Sequence, residues 1–222
     1  PSSPSGRAWQ IARARTAMRA GDSAEAARLT DAAAKGLEKD ATTADALSVH
    51  GLALAFSGDE PSAKKALEEA VEIARKVQDP RIEAVALVSL AIAHQRGGRG
   101  KEARDAYEAA LASAEKARDA WTLATTRLNL AGLAKADGDL AQALVHYEGA
   151  LDMGRRVGGS VIVQQALFNL ANLDLYLGRY ARAAASIEKL AEEREKLAPN
   201  ARAQLLGLQA ELATRMGDID RA

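Results

Sequence analysis

Apolar residues recur at three- and four-residue spacing through most of the chain, the periodicity of helices that bury one face. The pattern runs up to a glycine, breaks, and resumes two residues later. This happens at Gly21, Gly58, Gly98, Gly138, Gly178 and Gly217, which stand 37, 40, 40, 40 and 39 residues apart. Five residues after these glycines come Ala26, Ala63, Ala103, Ala143, Ala183 and Ala222. Twelve residues after them come Ala33, Ala70, Ala110, Ala150 and then Leu190. Six matches to Gly-x4-Ala in constant phase are a repeat, and the two segments LNLAGLAKADGDLAQALVHYEGAL and LFNLANLDLYLGRYARAAASIEKL show it directly.

Each recurring residue type has a mechanical role. Glycine takes the left-handed conformation that ends one helix sharply and lets the next fold back antiparallel. The two alanines, seven residues apart, share a face of the second helix and let neighbouring helices approach closely. Each unit is then a helical hairpin with apolar surface on both flanks, which is buried only by stacking on further copies. The expected fold is all-α, a solenoid of antiparallel helix hairpins. Residues 1–5, within PSSPSG, read as linker, and residues 6–222 as one solenoid. Its repeats fall near 6–40, 41–79, 80–119, 120–159 and 160–199, with a truncated one at 200–222. The start lacks a Met and a signal-peptide pattern, and the sequence stops inside the sixth unit's second helix, so we expect a piece of something longer.

The pattern resembles the tetratricopeptide repeat over nearly the whole chain, and the resemblance implies that the hairpins stack as a right-handed superhelical solenoid. In that family a leucine stands eight residues before the glycine, a small residue seven before, and an aromatic nine after. Leu90, Ala91 and Tyr107 match in repeat three, Leu130, Ala131 and Tyr147 in repeat four, and Leu170, Ala171 and Ile187 in repeat five. The period near 40 exceeds the family's usual length of about 34 residues. The extra residues sit at the junctions KVQDPRIEA, KARDAWTLA and RVGGSVIVQ, and should lengthen the flanking helices by roughly a turn. This longer variant is similar to repeats in kinesin light chain and in many bacterial regulators. Repeat one matches least, with Arg13 where leucine, Ala17 where a large residue and Thr30 where an aromatic is usual, as a polar terminal cap would have.

The resemblance implies a concave face lined by the first helix of each repeat, with binding residues thirteen, ten, nine, six, three and two before the glycine. Asn129 and Asn169 both lie nine before theirs. In the family such asparagines hydrogen-bond the backbone of an extended peptide; the plain alternative is a bond to their own helix or to water. Neighbouring first helices about 10 Å apart match the span of about three extended residues. The early part of this face is apolar, with Leu52, Phe56, Val88 and Ile92. The later part is polar, with Lys135, Gln165, Asn172 and Tyr176, and Arg96 lies near the division. The apolar set is either a partner patch or packed against a neighbouring repeat.

Composition narrows the chemistry. The chain of 222 residues is 48% hydrophobic but only 4% aromatic, and its 30 basic residues balance 30 acidic ones. No basic stripe or stacking platform favours nucleic acid. Absence of cysteine excludes disulfides and fits a reducing compartment, the cytoplasm. The longest apolar run, Ala84 to Ala93, is about half a bilayer span, so no membrane segment is expected. His50, His94 and His146 lack metal-ligand spacing and read as packing or surface residues. Asp174 sits at a packing position and needs a partner or solvent. RGGRG at Arg96 to Gly100 has the register of an interhelical turn, not of a phosphate loop. Neither a catalytic grouping nor a cofactor motif is present.

The expected function is therefore a protein- or peptide-binding scaffold rather than an enzyme. The alternative is a sensor or regulatory arm of a larger bacterial signalling protein, a kinase or transcriptional regulator. Self-association through the uncapped end near Met216 is a third reading.

Overall fold

The structure is a computed structural model that describes residues 4–35 and 39–217. Among these residues there is no strand. The helices are α1 (Pro4–Arg19), α2 (Ser23–Ala34), α3 (Ala41–Ser57), α4 (Glu60–Lys76), α5 (Pro80–Arg96) and α6 (Gly100–Ala117). They continue with α7 (Ala120–Ala136), α8 (Leu140–Arg156), α9 (Ser160–Tyr176), α10 (Tyr180–Glu192) and α11 (Pro199–Arg215). Residues 1–3 of the expected linker lie outside the described residues, and α1 already begins at Pro4. Ala222 and the rest of the sixth unit's second helix also lie outside them.

All six repeating glycines have φ between 69° and 88°. At Gly58 the geometry shows why. The amide of Asp59 donates to the Leu54 carbonyl at 3.0 Å and that of Gly58 to Ala55 at 3.4 Å, the paired bonds that close a helix on a left-handed residue. The aspartate that follows then starts the next helix. Asp22, Asp59 and Asp139 accept from the amides of Glu25, Ser62 and Gln142 at 2.9, 3.2 and 3.0 Å, satisfying a donor the first turn leaves open.

Turns between hairpins use the same geometry, but two of the three do so without glycine. Gln78, Arg118 and Gly158, each 40 apart, have φ of 55°, 52° and 65°. Asp79 and Asp119 cap the helices that follow. The next junction departs from this scheme. Helix α10 stops at Glu192, a short 3-10 turn follows at Arg194–Lys196, and Ala198 is extended with ψ 156°. Pro199 explains the change, because a proline pushes its predecessor out of helical conformation.

The chain divides into two compact units, Pro1–Thr126 and Arg127–Ala222, the division falling inside α7. In the first unit, Ile11, Leu29 and Val49 form one cluster, and Leu47, Val71, Ile73 and Leu87 another. The second unit is centred on Leu167, Leu175, Ile187, Leu190, Leu197 and Leu205. The repeating alanines sit where close helix approach requires them: the described alanines five after each glycine are fully buried, and the residues twelve after are at most 2% exposed. Tyr107 and Tyr147, at the aromatic register, are buried as well.

Candidate functional site

In the second unit, α9 and α11 bound a groove of about 650 Å³ on the first-helix face. Gln165, Phe168, Asn169 and Asn172 line it from α9, and Gln204, Gly207, Leu208 and Glu211 from α11. These eight residues occupy the registers thirteen, ten, nine and six before Gly178 and Gly217. Three of them, Gln165, Asn169 and Asn172, are expected from the sequence. The α11 set and Phe168 were not, although counting the same registers back from Gly217 and Gly178 finds them.

Local bonding fixes what the groove can offer. The Asn169 side-chain amide donates to the Gln165 carbonyl at 2.9 Å, and that of Asn172 to the Phe168 carbonyl at 2.8 Å. Each asparagine thus ties its nitrogen to its own helix and keeps the Oδ1 acceptor for something else. A Cβ built on Gly207 meets nothing within 4 Å, so the groove is hollow beside Phe168 and Leu208. Glu211 supplies a carboxylate at its edge, 3.4 Å from Arg215. Of the other expected residues in this unit, Asn129 is half-buried on α7, Lys135 is exposed near the end of α7, and Tyr176 is exposed at the end of α9. None of the three lines the groove.

In the first unit the expected apolar residues are partly packed. Leu52, Val88 and Ile92 are half-buried, and Val88 packs against the core cluster around Leu87. Phe56 is 46% exposed; the Arg96 guanidinium lies 4.1 Å from its ring centroid, and Arg96 Nε donates to the Ala55 carbonyl at 3.3 Å. Between α1 and α3, Arg15 (six before Gly21) bonds Asp45 (thirteen before Gly58). In α9 and α11 the residues at those two registers are Asn172 and Gln204.

The ionisable residues inside the helix stacks have structural partners. His50 Nδ1 lies 3.1 Å from the Ala27 carbonyl and 3.2 Å from the Thr30 hydroxyl, an arrangement that puts its proton on Nδ1. His94 Nδ1 accepts from Arg99 Nε at 3.0 Å. Burial and the Arg99 charge hold this histidine below its ordinary range. Asp174, only 1% exposed, meets Arg182 Nε at 3.3 Å and Arg179 at 3.9 Å. Burial nevertheless raises its pKa more than the two arginines lower it. The sequence carries a signal for both sites. Where arginine replaces the aspartate after the glycine, at Arg99 and Arg179, the residue four before the glycine is an acceptor, His94 or Asp174. Where aspartate stays, that residue is Ala17, Leu54, Ala134 or Ala213.

No helix among the described residues is long and apolar enough to cross a membrane. No curated protein matches the sequence. Solved structures do match in fold. BtubC (BKLC) from P. vanneervenii is 22% identical, with a TM-score of 0.76 over 97% of this chain and 86% of that one. A Rap protein complexed with Competence and Sporulation Factor is 15% identical, with a TM-score of 0.77 over 99% of this chain and 62% of that one. The third is a Signal Transduction ATPase with Numerous Domains from Pyrococcus horikoshii, described as having a tetratricopeptide repeat sensor. It is 17% identical, with a TM-score of 0.73 over 93% of this chain, which spans only 32% of that protein. The family model for the tetratricopeptide repeat matches residues 42–116, 82–156 and 122–196, well over half of the sequence. With the glycine turns, the buried alanines and the hairpin order, this places the chain in the tetratricopeptide repeat family.

Proposed function

We propose that the chain is a protein- or peptide-binding scaffold whose working surface is the first-helix face, with the α9–α11 groove as its recognition site. The observation that carries this reading is the register of the groove. Eight lining residues from two consecutive repeats fall on four positions of the repeat and leave an unfilled space of about 650 Å³. The acceptors on Asn169 and Asn172 suit backbone N–H groups of an extended segment, and the hollow at Gly207 takes one of its side chains. Binding, not catalysis, is what such a surface supplies.

A groove closed by design tests this. In Asn172→Arg/Gln204→Asp, the Arg15–Asp45 pair is reproduced at the same two registers of α9 and α11. Peptides selected by display on the wild-type protein should lose at least about tenfold in affinity for this variant, while its unfolding midpoint is unchanged. Equal binding to both proteins would remove the groove from the function.

The sensor-arm reading has its own support, in the fold likeness to a signalling ATPase described as carrying such a sensor. On that reading the ligand shifts a neighbouring domain between states, and a complete gene encoding only repeats would count against it. Self-association rests on a different place. Met216 is 62% exposed and, with Ile187, Leu212 and Ala213, lines an apolar groove of about 520 Å³ between α10 and α11. A monomer at high concentration in sedimentation would dismiss it. A cysteine-free chain suits a reducing compartment, and we assign it to the cytoplasm.

A further inference from the structure

A second groove lies in the first unit, on the side built by the second helices. It measures about 580 Å³ and runs between α4 (Glu68, Val71, Glu72) and α6 (Glu102, Asp105, Ala106), with Leu87 and Leu90 of α5 as its floor. Two features of the sequence open it. Eight residues after the glycine, repeat three has Ala106 where repeat four has His146. Leu90 is left half-buried, whereas Leu130 at the same register is 1% exposed. Repeat five also has a small residue there, Ser186, but its second helix is tied to the one before. Arg182, four after Gly178, bonds Glu148, ten after Gly138, and Leu170 is 3% exposed. The corresponding residues of α6 and α4 are Glu102 and Glu68, two acids that repel instead of bridging. Leaving a core-register leucine under an open gap forfeits contacts, so packing alone would favour a larger residue at position 106.

The walls carry a sign. On the α4 side both cations are paired: Lys76 with Glu72 of the same wall at 2.6 Å, and Arg75 with Glu83 at 2.7 Å. Glu68 lies 3.7 Å from Lys64. On the α6 side Glu102 and Asp105 have no ion pair among the described residues, so the free charge at the groove is negative. We propose that this groove is a docking site for a basic amphipathic helix of a partner protein. A large apolar side chain fills the space over Leu90 and Ala106, and Lys or Arg one turn away reaches Glu102 and Asp105. This site is independent of the α9–α11 groove and lies on the other helix of the hairpin.

The test uses the full chain and a synthetic helical peptide of about eighteen residues, five turns long, with a leucine stripe flanked by lysines. A second peptide carries glutamates in place of the lysines. Fluorescence anisotropy should show saturable binding of the lysine peptide, and NMR should place it by shifts of the Val71, Leu87 and Leu90 methyls. Ala106→Ile, which fills the gap, and Glu102→Lys/Asp105→Lys, which inverts the free charge without touching the core, should each weaken binding by about tenfold or more. The glutamate peptide should bind weakly or not at all. Absence of saturable binding, equal affinity for the charge-reversed variant, equal affinity of the two peptides, or methyl shifts confined to the α9–α11 groove would each overturn the proposal.

Discussion

Gln78 and Arg118 hold φ of 55° and 52°, the only non-glycine residues with positive φ among those described. Both side chains are exposed, so glycine at either position removes no burial. The left-handed conformation costs an L-residue about 1–2 kcal/mol, and glycine gives back about 0.5–1 kcal/mol through its greater freedom in the unfolded chain. Gln78→Gly and Arg118→Gly should therefore each stabilise by about 0.5–1 kcal/mol, and add when combined because they share no partner. The opposite exchange supplies the control. Gly58 and Gly138 have φ of 88° and 80°, and an added Cβ at either meets no atom within 4 Å. Alanine there is penalised by the backbone alone and should destabilise by about 0.5–1 kcal/mol. Urea unfolding followed by far-UV circular dichroism reads the midpoints. Hydrogen exchange at the α4–α5 and α6–α7 junctions reads the local effect, which matters because repeat arrays need not unfold in one step. A destabilised Gln78→Gly, or a stabilised Gly58→Ala, would refute the strain assignment.

Two helix-interior glycines should respond with opposite signs in thermal melts. Gly51→Ala drives a Cβ to 2.6 Å from Leu67 Cγ and should cost about 1–3 kcal/mol by overpacking. Gly132→Ala meets nothing within 4 Å and should gain about 0.5–1 kcal/mol from helix propensity. Asp139→Ala removes the acceptor for the Gln142 amide and should cost about 1 kcal/mol, measured by the same melts. Asp174→Asn should change the pH dependence of stability. With the folded pKa raised, the native state holds the proton more tightly than the unfolded chain, so the wild type loses stability as pH rises from about 4 through that raised value. The asparagine variant lacks this loss, so its advantage in urea midpoint should grow with pH across the window; a constant offset would show that Asp174 does not titrate there.

The fold was legible because its determinants are local and repeated. Gly58 and Ala63 announce a turn and a close contact wherever the chain places them, and the structure uses them so in every described repeat. Gln78 and Arg118 were not legible, because their conformation is imposed by the helices on either side and neither residue type prefers it. Asp174 needed its partners: Arg182 and Arg179 follow it on the other arm of the hairpin, and only the exchange of Asp for Arg after the glycine hints at them. On the first-helix face, register identified Gln165, Asn169 and Asn172, but residue type did not separate open from filled. Phe56 stays 46% exposed, with the guanidinium of Arg96, two before the next glycine, over its ring.

That difference between open and filled follows from what faces what. The register six before one glycine and the register thirteen before the next belong to neighbouring first helices. In α1 and α3 they hold Arg15 and Asp45, which bond each other and close the space. Burial alone would raise Asp45's pKa, and Arg15 offsets only part of that, so the closure is held by charge in a poorly solvated place. In α3 and α5 they hold Leu52 and Val85, two apolar residues that are both partly buried. In α9 and α11 they hold Asn172 and Gln204, two neutral amides that gain nothing comparable by meeting and lose hydration if they do. Phe168, ten before Gly178, has as its counterpart on α11 Gly207, which has no side chain to pack. One pair of registers thus behaves differently along the chain: given complementary charges, as at Arg15 and Asp45, it makes a contact, and given amides beside a glycine, as in α9 and α11, it leaves a groove.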